Sequence, residues 1–252
     1  LTIQGSPNRL AGGSLIRRSG TASGHGLDVS GVSYLKVKDL GIANADNGVR
    51  MSGSTNVHIE RVTSCSNRCG FGLVSSSAVE LDGCVAARNT AYGMYSENNV
   101  SMDWRNGVLW ENAVGVHVAN ATVRTFCNSV IRQTNGSAYA SVIGNVFGDY
   151  NVFYLGPGAT LGGTNYPRLS DYQKAYGREW HSAALSAELS VSNALDFHPL
   201  STVGRYNPLT KNCDLIDATH SVCIDFGDPA LSVGDETAPN GGRRNAGAYG
   251  GT

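Results

Sequence analysis

Short runs in which apolar and polar residues alternate recur through the first 155 residues, and their period of two is that of strands with one buried face. Five runs open on a glycine: Gly26-Leu-Asp-Val29, Gly48-Val-Arg-Met51, Gly70-Phe-Gly-Leu73, Gly93-Met-Tyr-Ser96 and Gly115-Val-His-Val118, with the glycines 22, 22, 23 and 22 residues apart. A second set follows in step: Leu35-Lys-Val-Lys38, Val57-His-Ile-Glu60, Val79-Glu-Leu-Asp82, Val100-Ser-Met-Asp103 and Val123-Arg-Thr-Phe126. A third register is polar, with Asn44, Asn67, Asn89, Asn112 and Asn135 spaced by 23, 22, 23 and 23. In coils stacked at the ~4.8 Å strand spacing, an asparagine at the same turn of each coil reaches its equivalents above and below. Leucine-rich repeats share the period but lack this strand and asparagine pattern.

The expected fold is therefore all-β, a right-handed parallel β-helix. It is a solenoid of about 22-residue coils, each with three short strands and joined by an asparagine ladder. It occupies residues 1–155, and residues 156–252 form an irregular C-terminal cap and tail packed on it. Residues 167–176 are expected to form one short helix with Leu169, Tyr172 and Tyr176 on a shared face, shielding the open end. Leu1 to Gln4 reads as mid-strand, so a leader or capping segment is expected upstream.

Composition narrows the function. The 252 residues are 41% hydrophobic and include 32 glycines, which suits many short strands and tight turns. A net charge of −1, from 19 basic and 20 acidic residues, gives no global field for nucleic acid or an anionic membrane. No apolar run approaches the ~18 residues of a membrane span. Six cysteines are too sparse to be the scaffold; Cys213 and Cys223 bracket a turn-rich stretch and are the expected disulfide, while Cys84 and Cys127 fall in core columns. Cys65-Ser-Asn-Arg-Cys69 reads as a bridge across a turn or half a metal site, and no second pair at zinc spacing accompanies it. Inward columns of Val, Ile, Leu and Met leave no pocket for an organic cofactor, and a monomer is expected.

Candidate chemistry lies on the outward positions of the second strand set. One column reads Lys36, His58, Glu80, Ser101 and the next Lys38, Glu60, Asp82, Asp103, with Arg105 and Arg124 at the far edge. Three carboxylates ~5 Å apart repel one another unless a cation intervenes, so Glu60, Asp82 and Asp103 are the expected metal ligands, with Ca²⁺ as the cation. His58 is the most accessible general base near neutral pH, beside Lys36, Lys38 and Arg105. Glu80, Tyr95 and Arg124 are the expected substrate contacts; Tyr95 belongs to a further column, Asp28, Arg50, Gly72, Tyr95, His117, where its ring can stack on a sugar. The plainer reading is that these side chains are cross-strand charge pairs, Lys36 and Lys38 with Glu60 and His58 with Glu80. Trp104 reads as core and Trp110 as either core or surface. His181, His198 and His220 read as structural, with no partners at ligand spacing.

The repeats resemble those of bacterial carbohydrate-active β-helix proteins, the superfamily of alginate lyases, chondroitinase B-like lyases, pectate lyases and polygalacturonases. The tail is similar too, in Asp149-Tyr-Asn-Val-Phe-Tyr154, Tyr166-Pro-Arg-Leu-Ser-Asp-Tyr-Gln173, Asp196-Phe-His198 and the Gly- and Arg-rich ending from Asn240. The resemblance implies a secreted or cell-surface protein acting on polysaccharide. In its most concrete form it implies a lyase that abstracts the C5 proton of a uronate, with calcium neutralising the carboxylate and Lys or Arg as base. The paired-Asp and Gly-His-Gly motifs of polygalacturonases are absent, as is the epimerase's Asp-Pro-His-Asp; a glycoside hydrolase ranks second as an enzyme. The alternative is a non-catalytic adhesin or glycan-binding module.

Overall fold

The computed structural model describes all residues except 7–13, 99, 163–165, 191–195, 208, 209, 211, 237–239, 251 and 252. The strands stack in parallel into three sheets that wrap one core. The first holds Leu27–Ser30, Asn47–Ser52, Cys69–Val74, Tyr92–Glu97 and the opening of Val114–Cys127, which pairs with the middle of Val130–Asp149. The second holds Thr2–Gln4, Ser33–Lys38, Thr55–Glu60, Ser77–Asp82, Val100–Arg105 and the end of Val114–Cys127. The third runs from Leu15–Arg17 through Gly41–Ala43, Thr63–Cys65, Val85–Ala87 and Val108–Trp110 to Ala183–Ala184. This is the expected parallel β-helix. Its interior is filled by columns such as Val49, Phe71, Met94 and Val116, and by Trp104, which is fully buried, edge-on to Phe71 and stacked on Phe126.

The glycine and asparagine periodicities are two halves of one device. Asn89 Oδ1 accepts the Asn67 backbone N–H at 3.0 Å, and Asn112 Oδ1 accepts that of Asn89 at 3.1 Å, while each Nδ2 donates to a carbonyl of the coil below. A Cβ on Gly70 would come within 2.9 Å of Asn89 Nδ2, and one on Gly93 within 2.9 Å of Asn112 Nδ2. Only glycine leaves room for the amide.

The ladder is shorter than expected. Asn67, Asn89 and Asn112 belong to it, whereas Asn135 is exposed, and buried Gln133 lies beside the Gly115 backbone instead. Asn44 sits one residue early with φ 59°, in a column of left-handed turn residues with Ser66, Arg88 and Glu111. Asparagine tolerates that conformation better than most residues, so the same residue type serves two purposes.

The helix forms over Leu169–Tyr176, with Leu169 and Tyr172 buried and Tyr176 half exposed, and Gly177 at φ 63° ends it by donating to the Gln173 carbonyl. Beyond it the chain returns along the outer face of the third sheet. Ala187, Phe197, Cys223, Ala246 and Ala248 pack there on Val85, Ala87, Val108, Trp110, Val130 and Val152, making a second core that settles Trp110 as buried. The expected Cys213–Cys223 disulfide is not formed. Cys223 is buried in the second core with its thiol toward the Ala187 carbonyl, while Cys213 is exposed on Asn212–Leu215. Cys65 and Cys69 are also unbridged.

Candidate functional site

With the tail over the third sheet, the outer faces of the first and second sheets are left for chemistry. On the second sheet the structure aligns Lys36, His58, Glu80 and Asp103 in one column and Lys38, Glu60, Asp82 and Arg105 in the other. The expected column of three carboxylates is therefore corrected: Asp103 stands beside Glu80, and Arg105 takes the place beside Asp82. The cause is the extra residue of the fourth coil. It enters before Tyr92–Glu97, and its phase carries into the next strand, so Val79 pairs with Met102 rather than with Val100. A slip of two residues preserves which side chains face inward, so alternation cannot detect it. Burial of Trp104 opposite Leu81 fixes the register.

Most charges on this face are already paired. Lys36 and Arg61 both bind Glu60, and Arg61 also binds Asp39 at 2.7 Å. Asp103 is buried and gripped by Arg124 at 2.9 Å and Arg105 at 3.2 Å, and Asp82 accepts from Asn106 Nδ2 at 2.7 Å. Burial pushes the Glu60 and Asp103 carboxyls up. The hydrogen bonds and charges of Lys36 and Arg61, and of Arg124, Thr125 and Arg105, outweigh it and hold both below the usual range. Among the described residues the side chains of Lys38, His58 and Glu80 form no hydrogen bond or ion pair, and no three His, Cys, Asp or Glu side chains converge on a point that could hold a metal ion.

The first sheet's outer face is aromatic. Asp28, Arg50, Gly72, Tyr95 and His117 form one column, as the sequence pattern predicts. Tyr95 and His117 lie parallel on adjacent coils, 5.4 Å between ring centres and 8° apart, and Tyr92 completes the group at 5.3 and 4.9 Å. The Tyr95 hydroxyl donates to Glu97 Oε2 at 2.7 Å, which fixes the ring and pushes the phenol up to about 12; burial lowers the His117 pKa. Next to the rings, Asn47 Oδ1 occupies the space over Gly72, where a Cβ would come within 2.3 Å of it. Asn47 Nδ2 in turn reaches Asp46 and His25. The cations here are neutralised, Arg50 by Asp28 at 3.1 Å and Arg68 by Asp46.

Sequence reasoning missed Tyr92. It opens its strand opposite Cys69, after the extra residue of the fourth coil, and packs on both rings. It also missed two histidine–carboxylate pairs, His181 Nδ1 with Asp149 at 2.7 Å and His198 Nδ1 with Asp196 at 2.5 Å. The second had a local signal, since Asp196 is two residues before His198 and also accepts its backbone N–H.

Residues 8–160 match the family model described as "Periplasmic copper-binding protein (NosD)". The chain belongs to the NosD family. Searches of curated proteins and of solved structures give no match. NosD proteins are a periplasmic family, and among the described residues of this member no helix is long and apolar enough to cross a membrane. The NosD match covers the solenoid, the part that carries both outer faces.

Proposed function

We propose that this NosD-family chain is an extracytoplasmic glycan-binding protein that holds its ligand on the outer face of the first sheet without turning it over. The observation that carries this reading is the Tyr92–Tyr95–His117 platform: three half-buried rings set on rigid strands, with a fixed phenol and a neighbouring amide as polar flanks. Aromatic faces with polar edges suit sugar rings, whose CH faces are apolar and whose rims are hydroxyls.

The lyase reading has less support. Two of its candidate bases, Lys36 and Arg105, are tied to Glu60 and Asp103, and those carboxylates are neutralised by protein cations in the place where calcium was expected to act. Copper, which the family description names, finds no assembled donor set among the described residues. The Met51, Met94 and Met102 sulfurs are in the core, and burial pushes the Cys69, Cys127 and Cys223 thiols up to about 12. No copper step is assigned to this chain.

The test is calorimetric titration with neutral and uronate-containing oligosaccharides, alongside a screen for the ultraviolet absorbance of an unsaturated lyase product, with calcium and with chelator. Binding without absorbance growth is expected, weakened roughly tenfold in Tyr95→Ala, the scale of one lost aromatic contact of about 1.4 kcal/mol. Absorbance growth on any substrate would replace this reading with the lyase. Binding undiminished in Tyr95→Ala would move the site off the first sheet.

A further inference from the structure

The inward column Leu27, Val49, Phe71, Met94, Val116 ends in Tyr139, a buried side chain whose polar tip points out of the apolar stack. Its hydroxyl donates to Glu179 Oε1 at 2.8 Å. Asn151, which donates to the Phe126 carbonyl and accepts from the Ser129 N–H, also donates to Glu179 Oε2 at 2.9 Å, and the Ser182 hydroxyl reaches the same oxygen. The backbone of Glu179 is engaged as well: its N–H donates to the Gly148 carbonyl at 2.9 Å, and its carbonyl accepts from Gln173 Nε2 of the helix. One buried glutamate thus joins the end of the apolar core, the buried Asn151, the helix and the return to Ala183–Ala184.

No cation answers it among the described residues. The Arg178 guanidinium reaches the Val146 carbonyl, Asn145 and the Tyr172 hydroxyl, over the Phe147 ring, and forms no ion pair with Glu179. The titratable groups facing Glu179 are Tyr139 from the strand, Tyr172 from the helix, and Asp149, itself paired with His181. Burial without a cation, beside a second carboxylate, favours the protonated form, and the three donors to its oxygens oppose this without outweighing it.

We propose that Glu179 is a pH-sensitive latch: its protonated carboxyl holds residues 166–187 on the last coil, and its ionisation loosens that cap from the solenoid's C-terminal end. Burial pushes the group up to about 7, against hydrogen bonds from Ser182, Asn151 and Tyr139 that pull it down. An acid raised above its ordinary value stabilises the closed form fully below about 4.5, and that stabilisation is lost as pH rises to about 7. The cap-opening constant therefore climbs roughly tenfold per pH unit across that window and levels off above it. Tyr139 and Tyr172 are both pushed upward and stay protonated throughout. Gln173 and Ser182 also line an open cleft of about 630 Å³ between the last coil and the helix.

Hydrogen–deuterium exchange on the intact chain from about pH 5 to 8, corrected for intrinsic exchange chemistry, tests this. The expected result is an opening constant that rises and then levels in peptides from 166–187 while peptides from the coils around 49–60 stay flat. Glu179→Gln keeps the shape and should abolish the rise; His181→Ala should leave it intact. A flat wild-type cap overturns the latch without needing a variant. Loss of the rise in His181→Ala assigns the proton to the histidine and overturns it as well.

Discussion

At the residue scale, the fold depends on positions where a single heavy atom decides the outcome. Gly93→Ala would place a Cβ 2.7 Å from the Gly115 carbonyl oxygen and 2.9 Å from Asn112 Nδ2, so an overpacking loss of about 1–3 kcal/mol is expected in urea unfolding. Asn89→Ala removes the acceptor of the Asn67 N–H and the donor to the Ser64 carbonyl, both buried, at about 1–3 kcal/mol for each group left unpaired. Asn135→Ala, exposed, should stay within about 0.5 kcal/mol of wild type. If the three variants lose equal stability, the ladder has been assigned to the wrong asparagines. The period of these residues was legible in the sequence, but ladder membership was not. Asn44, Asn98, Asn106 and Asn128 all adopt positive φ between strands, and nothing in the residue type separates such an asparagine from a rung.

At the element scale, the strand of the fourth coil carries the main correction, and it has a pH consequence. Asp103 is buried between Arg105 and Arg124 and held below its ordinary range, so its contribution is present above pH ~4 and lost as pH falls through the lower native value. Asp103→Asn should therefore be less stable than wild type at pH 7 and converge with it in acid; parallel curves from pH 7 down to 2 would show that the arginine grip contributes nothing. Beyond its one helix, which the spacing of Leu169 and Tyr172 gave away, the tail was legible only as irregular chain, because it has no period of its own and finds its place by covering the third sheet. Phe197, fully buried against Trp110, is its anchor. Phe197→Ala should cost about 3–5 kcal/mol, and proteolysis should then cut the tail before the coils. Equal loss of tail and coils would mean that they unfold as one unit.

At the scale of the whole molecule, the pattern of charge separates two ways of holding a polysaccharide. A polyanion held by unpaired Lys and Arg releases condensed counterions, and its affinity falls steeply as salt rises. The net charge is −1, and on the two open outer faces Lys36, Arg50, Arg61, Arg68, Arg105 and Arg124 are all committed to carboxylates of the same chain. The sequence already offered pairing as the plainer reading, and Lys36 with Glu60 bears it out; the grip of Arg105 and Arg124 on Asp103 was hidden by the register, and Lys38 with Glu60 and His58 with Glu80 do not pair among the described residues. Stacking on the Tyr92–Tyr95–His117 platform involves no such exchange of ions, and its strength should change less than about twofold between ~50 and ~500 mM salt, where exposed charges become largely screened. A titration of the same oligosaccharide across that range decides the matter: an affinity that falls by an order of magnitude or more would return the binding face to the charged columns of the second sheet, with Lys38 as the cation still free there among the described residues.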